Sequence, residues 1–256
     1  MKADPFAPDA LDRSDFLGGK VRIWQPRGGY RAGIDPVLLA ASVPAVPGQS
    51  VLELGCGAAP ALCCLGVRVP GLSLTGVELQ PAYADLARRN LAENDLAGEI
   101  RTADLLFLPA DLRQQAFDHV MANPPYFHED RRRSAEDAGR EIGRAGPAPL
   151  EDWVAVAARR LKPGGFVSFI QRVERLPELL GAMNKHLGSL ELKPLLPRAG
   201  RPPRLVLTRG RKGGRADFRF HPGLVLHRGA AHEGDWDHYS EAARSILRCG
   251  ENLTFS

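Results

Sequence analysis

The sequence predicts an α/β fold in which a mostly parallel sheet carries helices on both faces. Short apolar runs at Ser50–Leu54, Ser73–Glu78 and Phe117–Ala122 are typical of buried strands. Stretches with apolar residues at helical spacing separate these strands, and this alternation favours parallel pairing. The chain has 256 residues, of which 44% are hydrophobic and 25% charged, so a globular domain of ordinary size is expected.

The clearest helix is predicted over residues 150–161, where apolar side chains recur at the spacing of one helical face. The Lys-Pro-Gly-Gly run at 162–165 ends this helix, and residues 166–170 form the next predicted strand. An earlier helix is predicted from the apolar spacing between Tyr83 and Leu91.

The two ends of the chain differ from this middle part. Residues 1–15 are rich in Asp, Pro and Ala and are predicted to form a flexible N-terminal arm, while 16–256 form a single domain. Residues 205–208 and 218–226 look like strands joined through 211–214, which predicts an antiparallel hairpin at the sheet edge. A terminal helix is expected over 241–248. The segment 128–149 is expected to be a lid or binding element.

Four cysteines, Cys56, Cys63, Cys64 and Cys249, form no CxxC pair and have no histidine cluster beside them. They are expected to be thiols buried in a reducing compartment, and no metal site is predicted.

The sequence shows no signal peptide and no apolar run of membrane-spanning length, so we expect a cytoplasmic protein without a membrane partner.

A glycine-rich turn follows the first predicted strand. Glu53, Gly55 and Gly57 form a Glu-x-Gly-x-Gly pattern, and Glu78 ends the next strand. Glycines let a ligand approach the backbone, and a carboxylate at the end of the second strand can accept hydrogen bonds from ribose hydroxyls. Pro60 breaks the dinucleotide-binding fingerprint, which disfavours a dehydrogenase. Glu53 suits the ammonium group of S-adenosylmethionine, and the plain alternative is a strand-to-helix turn.

Asp104 follows a weaker strand signal. Its carboxylate can accept the amino group of a cofactor adenine, with Leu105 against the ring. The plain alternative is a helix cap, which is common for a lone aspartate.

The tetrapeptide Asn123-Pro124-Pro125-Tyr126 directly follows the strand Phe117–Ala122. Two prolines restrict the backbone and remove donors, which leaves carbonyl groups exposed. The Asn123 and Pro124 carbonyls can accept from one planar NH2 group, drawing its nitrogen toward tetrahedral geometry and freeing its lone pair for methylation. Tyr126 offers a flat face for an extruded base. The alternative is a proline-rich turn.

These two motifs resemble those of class I S-adenosylmethionine-dependent amino-methyltransferases. The segments 18–21, 25–26, 29–31 and 33–39 are similar to the bacterial tRNA(Val) adenine-N6 methyltransferase family, and 161–165 and 197–198 continue the likeness, which covers roughly residues 16–250. The resemblance implies a Rossmann-like class I methyltransferase fold with a seven-stranded sheet and S-adenosylmethionine as cofactor. It also implies an adenine beside the anticodon of tRNA as substrate.

The resemblance implies roles for individual residues. Asn123, Pro124 and Tyr126 would form the target-base site. The cofactor would be held by Glu53, Gly55, Gly57, Glu78, Asp104 and Leu105, with Arg31 and Asp35 closing over its methionine end. The plain alternatives for the last two are a surface arginine and a helix N-cap. Ala59 stands where many members have glycine, and it is expected to fit if its φ is helical.

The formal net charge is +4, which is compatible with a polyanionic partner. Arg209, Arg211, Lys212 and Arg215 lie in a basic stretch and are predicted to contact tRNA phosphates. The alternative is a solvated basic hairpin.

Other activities remain open for the same tetrapeptide. Glutamine-N5 methylation of a protein uses the same planar NH2 group, and ribosomal RNA or DNA bases are further candidates. A non-catalytic module that binds S-adenosylmethionine or RNA is disfavoured, because binding alone needs no pair of carbonyls directed at one amine.

Overall fold

A computed structural model describes residues 6–28, 31–126, 148–229 and 238–255. Its strands are β1 (Leu11–Phe16), β2 (Val21–Pro26), β3 (Ser50–Leu54), β4 (Ser73–Glu78), β5 (Gly98–Thr102), β6 (Phe117–Ala122), β7 (Leu161–Arg172), β8 (Gly188–Arg198), β9 (Leu205–Arg211), β10 (Arg219–Phe220) and β11 (Leu224–His227). Its α-helices are α1 (Asp35–Ser42), α2 (Pro60–Arg68), α3 (Pro81–Glu93), α4 (Ala110–Gln114), α5 (Leu150–Arg160), α6 (Leu176–His186) and α7 (Glu241–Arg244). Most of the predicted lid or binding segment 128–149 lies outside the described residues.

The main sheet confirms the predicted α/β class. Its order is β10-β8-β9-β7-β6-β3-β4-β5, and β11 also pairs with β8. The pairs from β5 to β7 are parallel, whereas β9 is antiparallel to both β7 and β8. Seven strands from β5 to β8 therefore form the predicted core, and the short β10 and β11 extend it at the β8 edge.

The predicted pairing of the C-terminal hairpin is wrong, although antiparallel strands do lie at that edge. Residues 205–208 belong to β9, which is buried between β7 and β8, and the later residues form β10 and β11 parallel to β8. Pro222 and Gly223 interrupt the second predicted strand. Strand β8 escaped prediction because it contains Pro194 and Pro197 and lacks regular alternation.

The two faces of the sheet carry separate apolar layers. Helices α1, α2 and α3 contribute to one buried cluster, and α4, α5 and α6 to the other. Cys56, Cys63 and Cys64 are buried as predicted, whereas Cys249 is exposed. No helix in the described ranges combines the length and apolar character of a membrane span.

The flexible arm predicted for residues 1–15 is wrong for its described second half, since Pro8–Ala10 form a 3-10 turn and residues 11–15 form most of β1, an antiparallel partner of β2. Asn90, fully buried on α3, fastens this hairpin to the domain. Its Oδ1 accepts from the Trp24 amide at 2.8 Å, and its Nδ2 donates to the carbonyls of Trp24 and Ala58 at 3.0 and 2.9 Å. One side chain thus ties β2 to the turn after β3.

Replacing Asn90 by alanine should lower the free energy of unfolding by about 3 kcal/mol, because it removes three hydrogen bonds and leaves buried backbone groups without partners. Urea unfolding followed by circular dichroism measures this loss. Asn94→Ala is the matched control, since Asn94 makes equivalent bonds to Arg22 one helical turn away at a more exposed position. Its cost should stay below about 1 kcal/mol. Equal losses would contradict the bridging role of Asn90.

Candidate active site

The candidate site lies at the ends of β3 and β6, the two adjacent strands between which the order of strands in the sheet reverses. Leu54 at the end of β3 is paired with Ala122 at the end of β6. From β3 the chain continues to one side through β4 and β5, and later to the other side through β6 and β7. The crevice outside the carboxyl ends of strands at such a switch point is where open α/β sheets bind ligands. The register therefore brings the glycine turn and the Asn-Pro-Pro-Tyr loop side by side.

The glycine turn depends on left-handed backbone conformations. Gly55 has φ +65°, and a Cβ there would lie 2.5 Å from the Trp153 ring, so no side chain fits. Gly57 has φ +56°, and a Cβ there would meet nothing within 4 Å, which leaves open space beside the backbone. The condition under which alanine is expected to fit at position 59, a helical φ, is not met, because Ala59 adopts φ +60°. An L residue at such a φ carries about 1 kcal/mol of strain.

Glu78 braces this turn from the neighbouring strand. Its Oε2 accepts from the Gly57 amide and its Oε1 from the Gln80 amide, both at 2.8 Å. Each carboxylate oxygen retains a further lone pair, so the group can still accept from ribose hydroxyls.

Glu53 lies beneath the same turn and is 3% exposed. Its Oε2 accepts from the Leu62 amide in the first turn of α2 at 3.2 Å. Burial raises the pKa of Glu53 well above its ordinary value, the Leu62 hydrogen bond opposes this shift, and the charge of Glu78 adds to it. A cationic group arriving here would stabilise the ionised form.

Asp104 and Leu105 follow β5 at the same edge. The Asp104 side chain accepts from the Leu106 amide at 2.8 Å and caps a short 3-10 turn over Leu105–Phe107, so the helix-cap alternative is realised. The Ala103 amide donates to the Glu78 carbonyl at 2.9 Å, which links this turn to the end of β4. Leu105 is 9% exposed and packs into the apolar cluster of α5.

The Asn-Pro-Pro-Tyr loop contains an acceptor without a partner. Oδ1 of Asn123 is buried and makes no hydrogen bond to any described residue. The Pro124 carbonyl accepts from Gln171 Nε2 at 3.4 Å, and the Pro125 carbonyl accepts from the Arg175 guanidinium at 3.0 Å. Gln171 is fully buried at the end of β7. The end of β7 and the short 3-10 turn that follows it therefore hold the two proline carbonyls in place.

Sequence reasoning missed Gln171 and Arg175. The available signal was their position just after the predicted strand 166–170, because the ends of parallel neighbours meet at one edge.

Tyr126 is anchored at its hydroxyl end. Its OH donates to Asp35 Oδ2 at 2.6 Å, and the Arg172 guanidinium lies 5.5 Å from the centre of its ring. Asp35 is the first residue of α1, where the cap position belongs to Ile34, so it is not the predicted N-cap. Its bond to Tyr126 joins the upstream motif to the loop.

Arg31 is turned toward the N-terminal hairpin. Its guanidinium donates to Asp12 at 2.9 Å and to Ser14 at 3.3 Å, both on β1. These bonds correspond to the plain alternative of a surface arginine.

The predicted basic patch lies at the wrong end of the sheet to reach this loop. Arg211 pairs with Phe166 in the middle of β7, whereas Arg172 is the last residue of that strand. Phe166 and Arg172 are six residues apart, and at ~3.3 Å per residue this separates the two positions by about 20 Å. The separation follows from β9 running antiparallel to β7, which the sequence alone does not disclose.

Three patch residues are also engaged locally. Arg209 forms an ion pair with Glu191, Arg211 donates to the Gly164 carbonyl at 3.0 Å, and Lys212 donates to the Leu161 carbonyl at 2.7 Å. Arg215 is exposed. The Arg209 guanidinium also lies 4.4 Å from the Phe255 ring. These contacts stabilise the fold, and the tRNA phosphate contacts predicted for the patch stay a prediction.

The site has acceptors that suit the ammonium group and the ribose of S-adenosylmethionine. Two carboxylates, Glu53 and Glu78, flank a turn whose backbone is open at Gly57, and they suit an ammonium group and ribose hydroxyls respectively. Asn123 supplies a buried acceptor on the adjacent loop. Within the described ranges, no group of three potential metal ligands occurs.

Comparison with known proteins agrees with this arrangement. The model of the family described as methyltransferase small domain matches residues 32–193. A curated tRNA1(Val) (adenine(37)-N6)-methyltransferase of Porphyromonas gingivalis is 30% identical over 209 residues, which cover 77% of this chain and 81% of the relative.

Two solved structures share the fold. A protein of Agrobacterium tumefaciens described as a predicted O-methyltransferase has a TM-score of 0.70 and 25% identity, covering 86% of this chain and 98% of its own. A putative class I S-adenosylmethionine-dependent methyltransferase of Listeria monocytogenes has a TM-score of 0.53 and 17% identity, covering 74% of this chain and 63% of its own.

The raised pKa of Glu53 predicts that S-adenosylmethionine affinity increases with pH. Glu53 should be protonated in the ligand-free protein at pH values above its ordinary 4.5, and an ammonium ligand should expel that proton. Calorimetric titration in buffers of different ionisation enthalpy measures the protons released on binding.

Glu53→Gln is the control for this effect, since it keeps the shape of the side chain and removes its titration. The variant should bind more weakly at neutral pH and lose the proton release that the unaltered protein shows. Proton release of equal size in both proteins would assign the titration to another group.

Proposed function

Because this chain belongs to the methyltransferase small domain family, we propose that it methylates the N6 amine of an adenine in tRNA. S-Adenosylmethionine is its cofactor. The relative from Porphyromonas gingivalis is named for adenine 37 of tRNA1(Val), and by analogy we place the target adenine beside the anticodon. A tRNA substrate places the protein in the cytoplasm.

The observation that carries the proposal is Oδ1 of Asn123, which is buried and has no hydrogen-bond partner among the described residues. A buried acceptor left without a donor costs about 1–3 kcal/mol, and such an atom in a folded protein calls for an explanation. A substrate amino group entering the site would donate to it and remove that cost. The folded protein thus maintains an acceptor in advance for a group that arrives with the substrate.

The second acceptor is the Pro124 carbonyl. Gln171 Nε2 occupies one side of this oxygen at 3.4 Å, and a carbonyl oxygen has a second lone pair. Asn123 and Pro124 can therefore each accept one hydrogen from the same exocyclic amine. Holding both hydrogens in this way weakens conjugation of the nitrogen with the ring and leaves its lone pair as the nucleophile.

Tyr126 supplies the surface for the target base. Its hydroxyl bond to Asp35 fixes the ring at one end, while Arg172 stands over the ring. An aromatic face prepared in this way can stack on a base that has left its helix. Asp35 and Arg172 are thus positioning residues for Tyr126.

For the cofactor, we assign the methionine end to the turn of Glu53, Gly55 and Gly57, and the ribose to Glu78. The adenine is assigned to Asp104 and Leu105. When bound, S-adenosylmethionine supplies an electrophilic methyl group on a sulfonium centre. Arg31 and Asp35 would act indirectly, since Arg31 binds Asp12 of β1 and Asp35 accepts from the Tyr126 hydroxyl.

Asn123→Ala should reduce the rate of methyl transfer at least 100-fold, because it removes one of two preorganised acceptors at the reacting nitrogen. The affinity for S-adenosylmethionine should stay within about twofold, since that ligand is assigned to other residues. Single-turnover kinetics and calorimetric titration measure the two quantities. Loss of cofactor binding would refute the role given to Asn123.

The substrate can be identified by offering labelled S-adenosylmethionine with tRNA, ribosomal RNA, DNA and a peptide release factor in parallel. We expect N6-methyladenosine in tRNA after nuclease digestion and mass spectrometry. Label in a glutamine side chain would favour protein methylation, and label on a ribose oxygen would favour methyl transfer to a hydroxyl group. Either result would overturn the proposed substrate.

A further inference from the structure

Arginines gather at the carboxyl edge of the sheet, next to the target-base loop. Strand β9 begins beside the end of β7, since Leu205 pairs with Arg172 and the Val173 amide donates to the Arg204 carbonyl at 3.1 Å. Strand β8 ends at the same edge, where its last residue pairs with His227 of β11. We call this set the arginine edge, and its members are Arg172, Arg198, Arg201, Arg204 and Arg228.

The arginine edge is continuous with the site. The Arg172 guanidinium lies 5.5 Å from the Tyr126 ring. Arg204 directly precedes Leu205, the residue of β9 that pairs with Arg172, and neighbouring strands are about 5 Å apart. Arg204 is therefore the next arginine along this edge, counted from Tyr126. Leu195 shares the level of Leu205, and Arg198 lies three residues beyond it along β8, about 10 Å further. The arginines therefore form a row that leads away from Tyr126 and does not surround it.

Few acidic side chains neutralise this edge. The sequence has no Asp or Glu between Glu191 and Asp217. Among the described residues, Arg201 and Arg204 are exposed and form no ion pair, in contrast to Arg209 with its Glu191 partner. In the described segment that follows β7, the acids are Glu174 and Glu178, and Glu178 is already paired with Arg175. Arg201 and Arg204 are thus two exposed cations without an acidic partner among the described residues, and such cations attract a polyanion.

The connection between β8 and β9 is stiff. The Arg201 amide donates to the Arg198 carbonyl at 3.2 Å across Gly200, whose φ is +72°. Pro202 and Pro203 then restrict the backbone up to Arg204. Arg198 is itself held by the carbonyl groups of Arg228 and Gly229. A connection ordered in advance loses less conformational entropy when it binds a ligand.

We propose that the arginine edge binds the RNA phosphates that flank the target nucleotide. This inference rests on the proposed function. A base extruded onto Tyr126 leaves its sugar-phosphate backbone outside the pocket, where Arg172 and the β8–β9 connection stand. Guanidinium groups match phosphate oxygens with paired hydrogen bonds, and such contacts orient RNA without reading its sequence. The edge replaces the patch at the opposite end of the sheet as the RNA-contacting surface.

The test compares two double variants with the same change in charge. Arg201→Gln with Arg204→Gln removes two cations from the arginine edge, while Arg215→Gln with Arg219→Gln removes two exposed cations from the other end. Binding of tRNA to the full-length protein is measured by fluorescence anisotropy between about 50 and 200 mM salt, with methyl transfer followed in parallel.

The edge variant should bind tRNA on the order of tenfold more weakly, and the slope of log K against log salt should flatten by about 1.4 to 1.8. Its KM for tRNA should rise while kcat at saturating tRNA stays nearly unchanged. The control variant should match the unaltered protein. Lysine at positions 201 and 204 should restore most of the salt slope, because it retains the charge.

Unchanged binding by the edge variant, or an equal loss in the control variant, would refute the arginine edge while leaving tRNA methylation intact. Failure of the unaltered protein to methylate or bind tRNA would instead refute the proposed function. Circular dichroism of both variants distinguishes lost contacts from lost folding, and a misfolded edge variant is replaced by the single changes.

Discussion

The register between β3 and β6 is the constraint on which the rest of the site depends. Pairing of Leu54 with Ala122 brings the last residues of both strands to the same level. The glycine turn and the Asn-Pro-Pro-Tyr loop then leave the sheet next to each other, although about 66 residues separate them along the chain. A slip of one residue would turn every side chain of a strand to the other face and separate the carboxylates from the carbonyls.

The site is organised as two neighbouring sets of acceptors. The carboxyl groups of Glu53 and Glu78 flank the turn after β3, and burial raises the pKa of Glu53, so a bound cation would stabilise its ionised form. Asn123 and Pro124 present neutral oxygens on the adjacent loop. Charged acceptors suit an ammonium group, whereas neutral carbonyls suit an amine that must keep its lone pair available. The division between them matches a cationic cofactor beside a neutral substrate nitrogen.

Distant parts of the chain supply the supports of this site. Asn90 of α3 joins β2 to the carbonyl of Ala58, so the N-terminal hairpin braces the glycine turn. Asp35 of α1 holds the hydroxyl of Tyr126, and Gln171 of β7 holds the carbonyl of Pro124. Buried hydrogen bonds to loop atoms reduce the number of conformations that the loop can adopt. The Asn-Pro-Pro-Tyr loop is therefore held by α1 and β7, and the glycine turn by α3, all of which are far from the residues they hold in sequence.

The sequence by itself determined the α/β class and the position of both loops after their strands, and it predicted the chemistry proposed for Glu53, Glu78, Asn123 and Tyr126. These features depend on local patterns, because a strand, a turn and the residues that follow it are adjacent in the chain. Tertiary structure alone decided the partners of Asn90 and Gln171, the left-handed φ of Ala59, and the placement of the arginines. The direction of β9 separates Arg211 from Arg204 by the length of a strand, and strand direction is set by long-range pairing and the neighbours that bury each face. The number of charged residues in a segment can therefore be read from the sequence. The end of the sheet at which those residues lie is decided only when the strands pair.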